Sequence, residues 1–148
     1  MSDPLYKKAL LRLAADAAGA GRLTVPCHTA SAFNPACGDK VTIDVAVEGG
    51  RITAIAHNTK ACVLTQASAS ILGAEIAGLT RTEVAGLHRA VSAMLAGDAP
   101  PAAPFDVYGA FDGVVGHRNR HKCVLLPIEA VLIALDKSES GEVGSERT

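Results

Sequence analysis

The stretch KVTIDVAVEGGRITAIAH, residues 40–57, contains two runs of alternating apolar and polar residues joined by a glycine pair. Side chains of a strand alternate between its two faces, so each run is expected to bury one face. Four residues of the first run are predicted to share the buried face: Val41, Ile43, Val45 and Val47. Three residues of the second run are predicted to share a face: Ile52, Ala54 and Ala56. The stretch therefore predicts a β-hairpin with one buried face.

Helical patterns lie on both sides of this hairpin. Asp3 followed by Pro4 predicts the start of a first helix, because a capping side chain precedes proline at the first helical position. After the hairpin, a helix is predicted from Cys62 to about Gly78. The next helix is predicted to start at Thr80, where a glutamate three residues on completes a capping box.

A last helix is predicted from about Cys123 to Leu135, with Pro127 near its first turn, where proline is tolerated. Residues 98–116 are expected to form a long loop, and such loops are often functional. Residues 23–33 are expected to hold a short edge strand. The order of helix, hairpin and helices predicts an α+β fold, with about three antiparallel strands covered by helices on one face.

Composition and charge limit the domain organisation and the classes of partner. With 148 residues the chain is expected to form a single domain over residues 1–136, followed by a polar, disordered tail over residues 137–148. The net charge of −1 and the aromatic content of 3% argue against nucleic-acid or membrane partners. Charged residues interrupt the apolar stretch 9–20, which therefore fits neither a signal peptide nor a membrane span, and a cytoplasmic location is expected.

Three of the four cysteines lie in three unlike motifs. The motifs are NPACGD at residues 34–39, KACVLTQASAS at residues 60–70 and RHKCVLLP at residues 120–127. Three sulfurs and the carboxylate of Asp39 suit a tetrahedral zinc ion, and thiolates also suit iron–sulfur chemistry. The spacing contains no CxxC pair, so the alternative that each cysteine is a small buried apolar residue stays open.

Two of these cysteines, Cys62 and Cys123, fall at predicted helix N-termini. The helix dipole favours an anion there, so both thiols are expected to have a lowered pKa. Cys37 falls in a loop just before a predicted strand, where Gly38 allows close approach of the backbone. Cys27 and His28 stand apart from the three motifs and are interpreted as incidental, while His57 and His88 are interpreted as surface residues.

In order, and over about residues 5–136, the three motifs resemble the IscU/SufU/NifU N-terminal-type family of iron–sulfur cluster assembly proteins. The resemblance implies that Cys37, Asp39, Cys62 and Cys123 surround one site at the end of the sheet, which holds a zinc ion or a nascent [2Fe-2S] cluster. It also implies two kinds of partner. These are a PLP-dependent cysteine desulfurase, which delivers persulfide sulfur, and downstream iron–sulfur acceptor proteins.

Two features resemble the SufU branch of that family. The scaffold branch has a histidine directly before the third cysteine, whereas this chain has Lys122 there and His121 one residue earlier. The stretch between Cys62 and Cys123 is also longer than in the scaffold branch. The resemblance thus favours a zinc-holding sulfurtransferase. The alternatives are a non-enzymatic scaffold that assembles [2Fe-2S] on the three cysteines, and a structural zinc domain that only binds partners.

Roles for individual residues follow from the same resemblance. In SufU-like proteins the counterpart of Cys37 accepts persulfide, whereas the scaffold branch favours that of Cys123, and Cys37 is the preferred acceptor here. The basic residues Arg120, His121 and Lys122 are predicted either to bind an acidic desulfurase surface or to form a solvated loop. Arg120 best matches an arginine that contacts the partner in the SufU branch.

Overall fold

The computed structural model describes residues 7–139, which form one antiparallel sheet and several helices. The strands are β1 (His28–Asn34), β2 (Asp39–Glu48) and β3 (Arg51–Lys60), in the order β1-β2-β3. The α-helices are α1 (Lys8–Asp16), α2 (Val63–Glu75), α3 (Arg81–Leu95) and α4 (His121–Glu139). A long 3₁₀ helix covers Phe105–Val114 and a short one covers Arg118–Arg120. The predicted α+β class with a three-stranded antiparallel sheet is confirmed.

The core lies between one face of the sheet and the helices. Val41, Ile43 and Val45 of β2 are fully buried on that face, as the alternation predicted. Helix α4 packs across β1 and β2, while α2 packs against β3. Within residues 7–139, no helix has the length and apolar character needed to cross a membrane.

Strand β3 departs from the prediction because the hairpin contains a bulge. Val45 pairs with Ile55, but Val47 pairs with Ile52, and the register shifts between Ala46 and Val47. Directly paired residues lie on the same face, so the extra residue moves His57 to the core face opposite Ile43. The expectation that Ile52, Ala54 and Ala56 share one face is wrong, and so is the interpretation of His57 as a surface residue, since only 4% of it is exposed.

The observed helix boundaries match the predicted ones at the start of α3 and differ at the start of α1 and at both ends of α4. Thr80 and Glu83 form the predicted capping box at the start of α3. The predicted start at Asp3 and Pro4 lies outside the described residues, and α1 begins at Lys8 after an extended residue. The last helix is longer at both ends than predicted, and it continues through Glu139. The part of the predicted tail beyond this residue lies outside the described residues.

The stretch predicted as a loop, residues 98–116, contains the long 3₁₀ helix. A 3₁₀ helix has three residues per turn, so residues three apart lie on one edge. The residues on that edge are all buried in the core: Phe105, Tyr108, Phe111 and Val114. The rings of Tyr108 and Phe111 stack with centroids 5.4 Å apart. This segment therefore supplies most of the aromatic part of the core.

Candidate metal centre

Cys37 lies at the tip of the tight turn that joins β1 to β2. The backbone N–H groups of Cys37 and Gly38 both donate to the carbonyl of Asn34, at 3.1 and 2.8 Å. Gly38 has a φ of 72°, in the left-handed region that glycine adopts without strain. The turn thus satisfies these two backbone N–H groups internally, and Cys37 is exposed.

Asp39 begins β2 directly after this turn and is 2% exposed. Its Oδ1 accepts a hydrogen bond from the backbone N–H of Cys62 at 3.0 Å, and its Oδ2 accepts one from the Thr65 hydroxyl at 3.0 Å. Cys62 is the N-cap residue of α2, so the buried carboxylate faces a helix N-terminus that carries partial positive charge. The sequence predicted this position of Cys62 correctly.

Cys123 lies in the first turn of α4 and is completely buried. Its sulfur is 3.7 Å from the Cys37 sulfur and accepts a long hydrogen bond from the Asn34 side chain, also at 3.7 Å. Two elements far apart in sequence, the β1–β2 turn and α4, thus bring their thiols into contact. Sequence spacing alone could not show that contact.

The ligand atoms of Cys37, Asp39 and Cys123 all lie within 4.8 Å of one another. Zinc–sulfur bonds of about 2.3 Å at tetrahedral angles place two sulfurs about 3.8 Å apart, close to the separation of the Cys37 and Cys123 sulfurs. The Cys62 sulfur is 3.5 Å from Asp39 Oδ2, and a tetrahedral zinc ion would place such a sulfur and oxygen about 3.6 Å apart. The donor atoms of Cys37, Asp39 and Cys123 therefore fit three positions around a tetrahedral metal, while Cys62, predicted as the fourth ligand, contacts Asp39 but does not belong to this group.

The half-buried thiol of Cys62 and the buried thiol of Cys123 differ in acidity. Interaction with the Cys123 thiol lowers the pKa of Cys62 to about 6, although burial opposes the shift. The same contact, together with burial, raises the pKa of Cys123. The expectation of a lowered pKa holds for Cys62 and is wrong for Cys123. The reason is that Cys123 is buried and interacts with the Cys62 thiol. In addition, the short 3₁₀ helix runs directly into α4, so Cys123 does not lie at a free helix N-terminus.

The basic residues before Cys123 have distinct surroundings. The His121 ring lies with Nε2 3.1 Å from the carbonyl oxygens of both Val114 and Val115, so it is half-buried at the end of the long 3₁₀ helix. The Lys122 ammonium donates to Glu129 at 2.8 Å, which directs it along α4. Arg120 ends the short 3₁₀ helix and is half-buried. Their predicted role in partner binding stays a prediction.

Cys27 and His28 lie at the opposite end of β1 from the turn that carries Cys37. They are therefore separated from the other three cysteines by the length of a strand. Burial, followed by the charge of Asp44, raises the pKa of the Cys27 thiol. A reactive thiolate is thus not favoured at this position.

Two further residues, Thr65 and Asn34, belong to the site and were not predicted from the sequence. Thr65 is completely buried and hydrogen-bonds Asp39, while Asn34 is 5% exposed and hydrogen-bonds Cys123. Both lie within the quoted motifs. The sequence signal that could have identified them is their spacing from the cysteines. Thr65 is a polar residue three positions after Cys62, and Asn34 is a polar residue three positions before Cys37.

Comparison with known proteins agrees with this fold. No curated protein sequence matches the chain. A solved NifU-like protein (N-terminal) from Brucella abortus is 31% identical, covers 93% of this chain and 96% of its own, and superposes with a TM-score of 0.87. A candidate iron–sulfur cluster assembly scaffold protein for the SUF system from Fervidobacterium islandicum AW-1 shares the fold, at 24% identity and a TM-score of 0.79, over 91% of this chain and 99% of its own. Residues 5–109 match the NifU-like N terminal domain, and the chain therefore belongs to that family.

Proposed function

We propose that this protein works in iron–sulfur cluster biogenesis as a zinc-holding sulfur acceptor, or sulfurtransferase, of the SufU type. In this proposal Cys37, Asp39, Cys62 and Cys123 hold one zinc ion, and a PLP-dependent cysteine desulfurase supplies the sulfur. The recipients are downstream iron–sulfur acceptor proteins, and the reaction takes place in the cytoplasm, where thiols stay reduced. The observation that carries the proposal is the 3.7 Å contact of the Cys37 and Cys123 sulfurs beside the buried Asp39 carboxylate.

Zinc, when bound, keeps its thiolate ligands deprotonated and shields them from oxidation. The protein's own contribution is to order the four donors. Asp39 is fixed by the α2 N-terminus, and Cys62 and Cys123 are held on two helices. Only Cys37 lies on a turn at the surface. This arrangement gives one sulfur that can leave the site and three donors that stay in place.

The transfer itself is a thiol–disulfide type of exchange. The Cys37 thiolate attacks the terminal sulfur of the persulfide carried by the desulfurase cysteine. A bond forms between the Cys37 sulfur and that terminal sulfur, while the sulfur–sulfur bond of the donor breaks. The desulfurase cysteine leaves as a thiolate, and Cys37 becomes a persulfide without net oxidation or reduction.

Exposure favours Cys37 over Cys123 as the first acceptor. The attacking sulfur, the transferred sulfur and the leaving sulfur must lie nearly in line, so the acceptor needs free approach from outside. Cys37 is exposed, whereas Cys123 is completely buried beneath the turn. Arg120 lies directly before α4, and His121 and Lys122 begin it; these three basic residues are proposed to contact the acidic surface of the desulfurase.

Metal analysis of protein purified without oxygen tests the site. The proposal predicts one zinc per chain and no acid-labile sulfide, with zinc lost in Cys37→Ala and Cys123→Ala. Cys27→Ala is the matched control, because it removes a thiol at the other end of β1, and it should retain zinc. Iron and sulfide in equal amounts would instead support the alternative, a scaffold that assembles [2Fe-2S] on Cys37, Cys62 and Cys123. Absence of both metals would refute both.

Sulfur transfer is tested separately with the desulfurase, its substrate cysteine and mass spectrometry of the thiols. Persulfide is expected on Cys37 in the unmodified chain and in Cys27→Ala, and none is expected in Cys37→Ala. Undiminished persulfide on the Cys37→Ala variant would reject Cys37 as the first acceptor and favour Cys123. Charge reversal at Arg120 should weaken activation of the desulfurase, and unchanged activation would remove Arg120 from the contact.

A further inference from the structure

Thr65 lies at the point where three parts of the candidate metal centre meet. It is completely buried in the first turn of α2. Its hydroxyl oxygen is 3.0 Å from Asp39 Oδ2, 3.0 Å from the Cys123 carbonyl oxygen and 3.4 Å from the Cys62 sulfur. One hydroxyl thus touches β2, α4 and the start of its own helix.

The Cys123 carbonyl needs this hydroxyl because of Pro127. In an α-helix the carbonyl of residue 123 accepts from the N–H of residue 127, and proline has no N–H. The proline ring also pushes the carbonyl four residues earlier away from the helix axis. Without an outside donor the Cys123 carbonyl would be a buried acceptor left unpaired, which is costly.

Helix α2 supplies the donors for this part of α4. The Thr65 hydroxyl lies within donating distance of the Cys123 carbonyl, and Ser68, one turn later on the same face, donates to the Val124 carbonyl at 2.7 Å. Pro127 therefore frees the acceptor that joins α4 to α2. This junction lies directly behind the Cys123 thiol.

The Thr65 hydroxyl has a single hydrogen, so at any moment it donates either to Asp39 or to the Cys123 carbonyl. Each of these two acceptors belongs to a residue with a ligand atom at the candidate metal centre. We propose that Thr65 is the positioning residue of this centre. Its hydroxyl fixes the position of the Asp39 carboxylate relative to the Cys123 backbone, so that the carboxylate and the sulfurs meet at one point. The inference rests on the metal centre of the proposed function.

Two substitutions separate the hydroxyl from the shape of the side chain. Thr65→Val keeps the shape and removes the hydroxyl, while Thr65→Ser keeps the hydroxyl. The probe is Co²⁺ alone, titrated into metal-free protein and followed by thiolate-to-cobalt charge-transfer and tetrahedral ligand-field absorption. Loss of a hydrogen-bond partner of a metal ligand typically costs about 10- to 100-fold in affinity, so Thr65→Val should bind Co²⁺ that much more weakly. Thr65→Ser should bind like the unmodified chain.

Pro127→Ala tests the proposed route through the Cys123 carbonyl. The new N–H at position 127 supplies the missing helical donor, so the carbonyl no longer depends on Thr65. Combined with Thr65→Val, it should recover part of the lost Co²⁺ affinity, leaving the part that acts through Asp39. This double variant also replaces Thr65→Val if the single variant does not fold, because it leaves one fewer unpaired acceptor buried.

A measurement without metal distinguishes failure of this inference from failure of the proposed function. In metal-free protein, iodoacetamide should label Cys123 faster, relative to Cys37, in Thr65→Val than in Thr65→Ser or the unmodified chain. Normal Co²⁺ affinity and spectra in Thr65→Val would overturn the role of Thr65 while leaving the metal centre intact. If the unmodified chain binds no Co²⁺, the proposed metal centre fails. The labelling rates then decide, and unchanged Cys123 labelling overturns the inference.

Discussion

Replacement of Gly73 by alanine should destabilise the fold, because α2 packs against the segment that follows α1 at this glycine. A Cβ atom at Gly73 would lie 1.9 Å from the Ala18 carbonyl oxygen, 2.5 Å from its carbonyl carbon and 3.0 Å from Gly19 Cα. These are backbone atoms, so no change of rotamer relieves the overlap. Either α2 or the segment must move.

Movement of that segment breaks defined hydrogen bonds. His57 N–H donates to the Gly19 carbonyl at 2.9 Å, and Gly21 N–H donates to the His57 carbonyl at 2.8 Å. Overpacking costs about 1–3 kcal/mol, and a lost hydrogen bond costs about 1 kcal/mol. The better helix propensity of alanine returns up to about 1 kcal/mol. We therefore expect Gly73→Ala to lower the free energy of unfolding by about 1–3 kcal/mol.

Gly86→Ala provides the matched control in α3. A Cβ atom at Gly86 would have Arg89 Nη2 as its nearest neighbour, at 3.7 Å, which is an ordinary contact. Only the better helix propensity of alanine remains, so the free energy of unfolding of this variant should rise by about 0.5–1 kcal/mol. Urea unfolding followed by circular dichroism measures both. If Gly73→Ala is as stable as the unmodified chain, the described contact between α2 and the segment after α1 is incorrect.

Three further predictions concern acid stability and a helix cap. Burial is the largest influence on the pKa of Asp44 and would raise it, but four hydrogen bonds led by those of Arg22 outweigh burial and lower it. Asp44 thus stabilises the fold above its unfolded pKa of about 3.9. Asp44→Asn should lower the free energy of unfolding by about 1–3 kcal/mol at neutral pH. This loss of stability relative to the unmodified chain should shrink in acid, and a loss that stays constant would contradict the role of Asp44. Burial lowers the pKa of His57, so the free energy of unfolding should fall as the pH drops below about 6.5. In urea titrations over that pH range, His57→Gln should lose less stability than the unmodified chain. Thr80→Ala should lower the unfolding free energy by about 1 kcal/mol by removing the capping box with Glu83, whereas an unchanged urea midpoint would show that the cap contributes nothing.

The sequence predicted the hairpin because alternation reports directly on which face of a strand is buried. It failed at the bulge between Ala46 and Val47, where the alternation of β3 changes phase and His57 enters the core. No residue in β3 marks that change, because alanine and threonine are compatible with either face. A bulge is a property of the pairing between two strands, which the pattern of one strand does not contain.

The long 3₁₀ helix carried a readable signal. Phe105, Tyr108, Phe111 and Val114 recur every third residue, which is the period of a 3₁₀ helix rather than that of an α-helix or a strand. Proline, alanine and glycine around them favoured a loop. The period-three stripe was the better guide, since it shows that one edge of the segment is apolar throughout.

The candidate metal centre was predicted from the three cysteine motifs by resemblance, while its supporting contacts were not. The resemblance names residues that bind, and it does not show which groups hold them. Asn34, Thr65 and Pro127 act through contacts between segments distant in sequence, with Thr65 and the Cys123 carbonyl 58 positions apart. Such contacts exist only after the sheet, α2 and α4 have packed.

The elements that carry Cys37 and Cys123 also determine how each sulfur can be reached. A turn whose hydrogen bonds are internal can move its side chain without cost to the core, and Cys37 lies at the tip of such a turn. Cys123 lies on the buried side of α4, tied to α2 through its own carbonyl. A partner molecule approaching from solvent therefore meets Cys37 first.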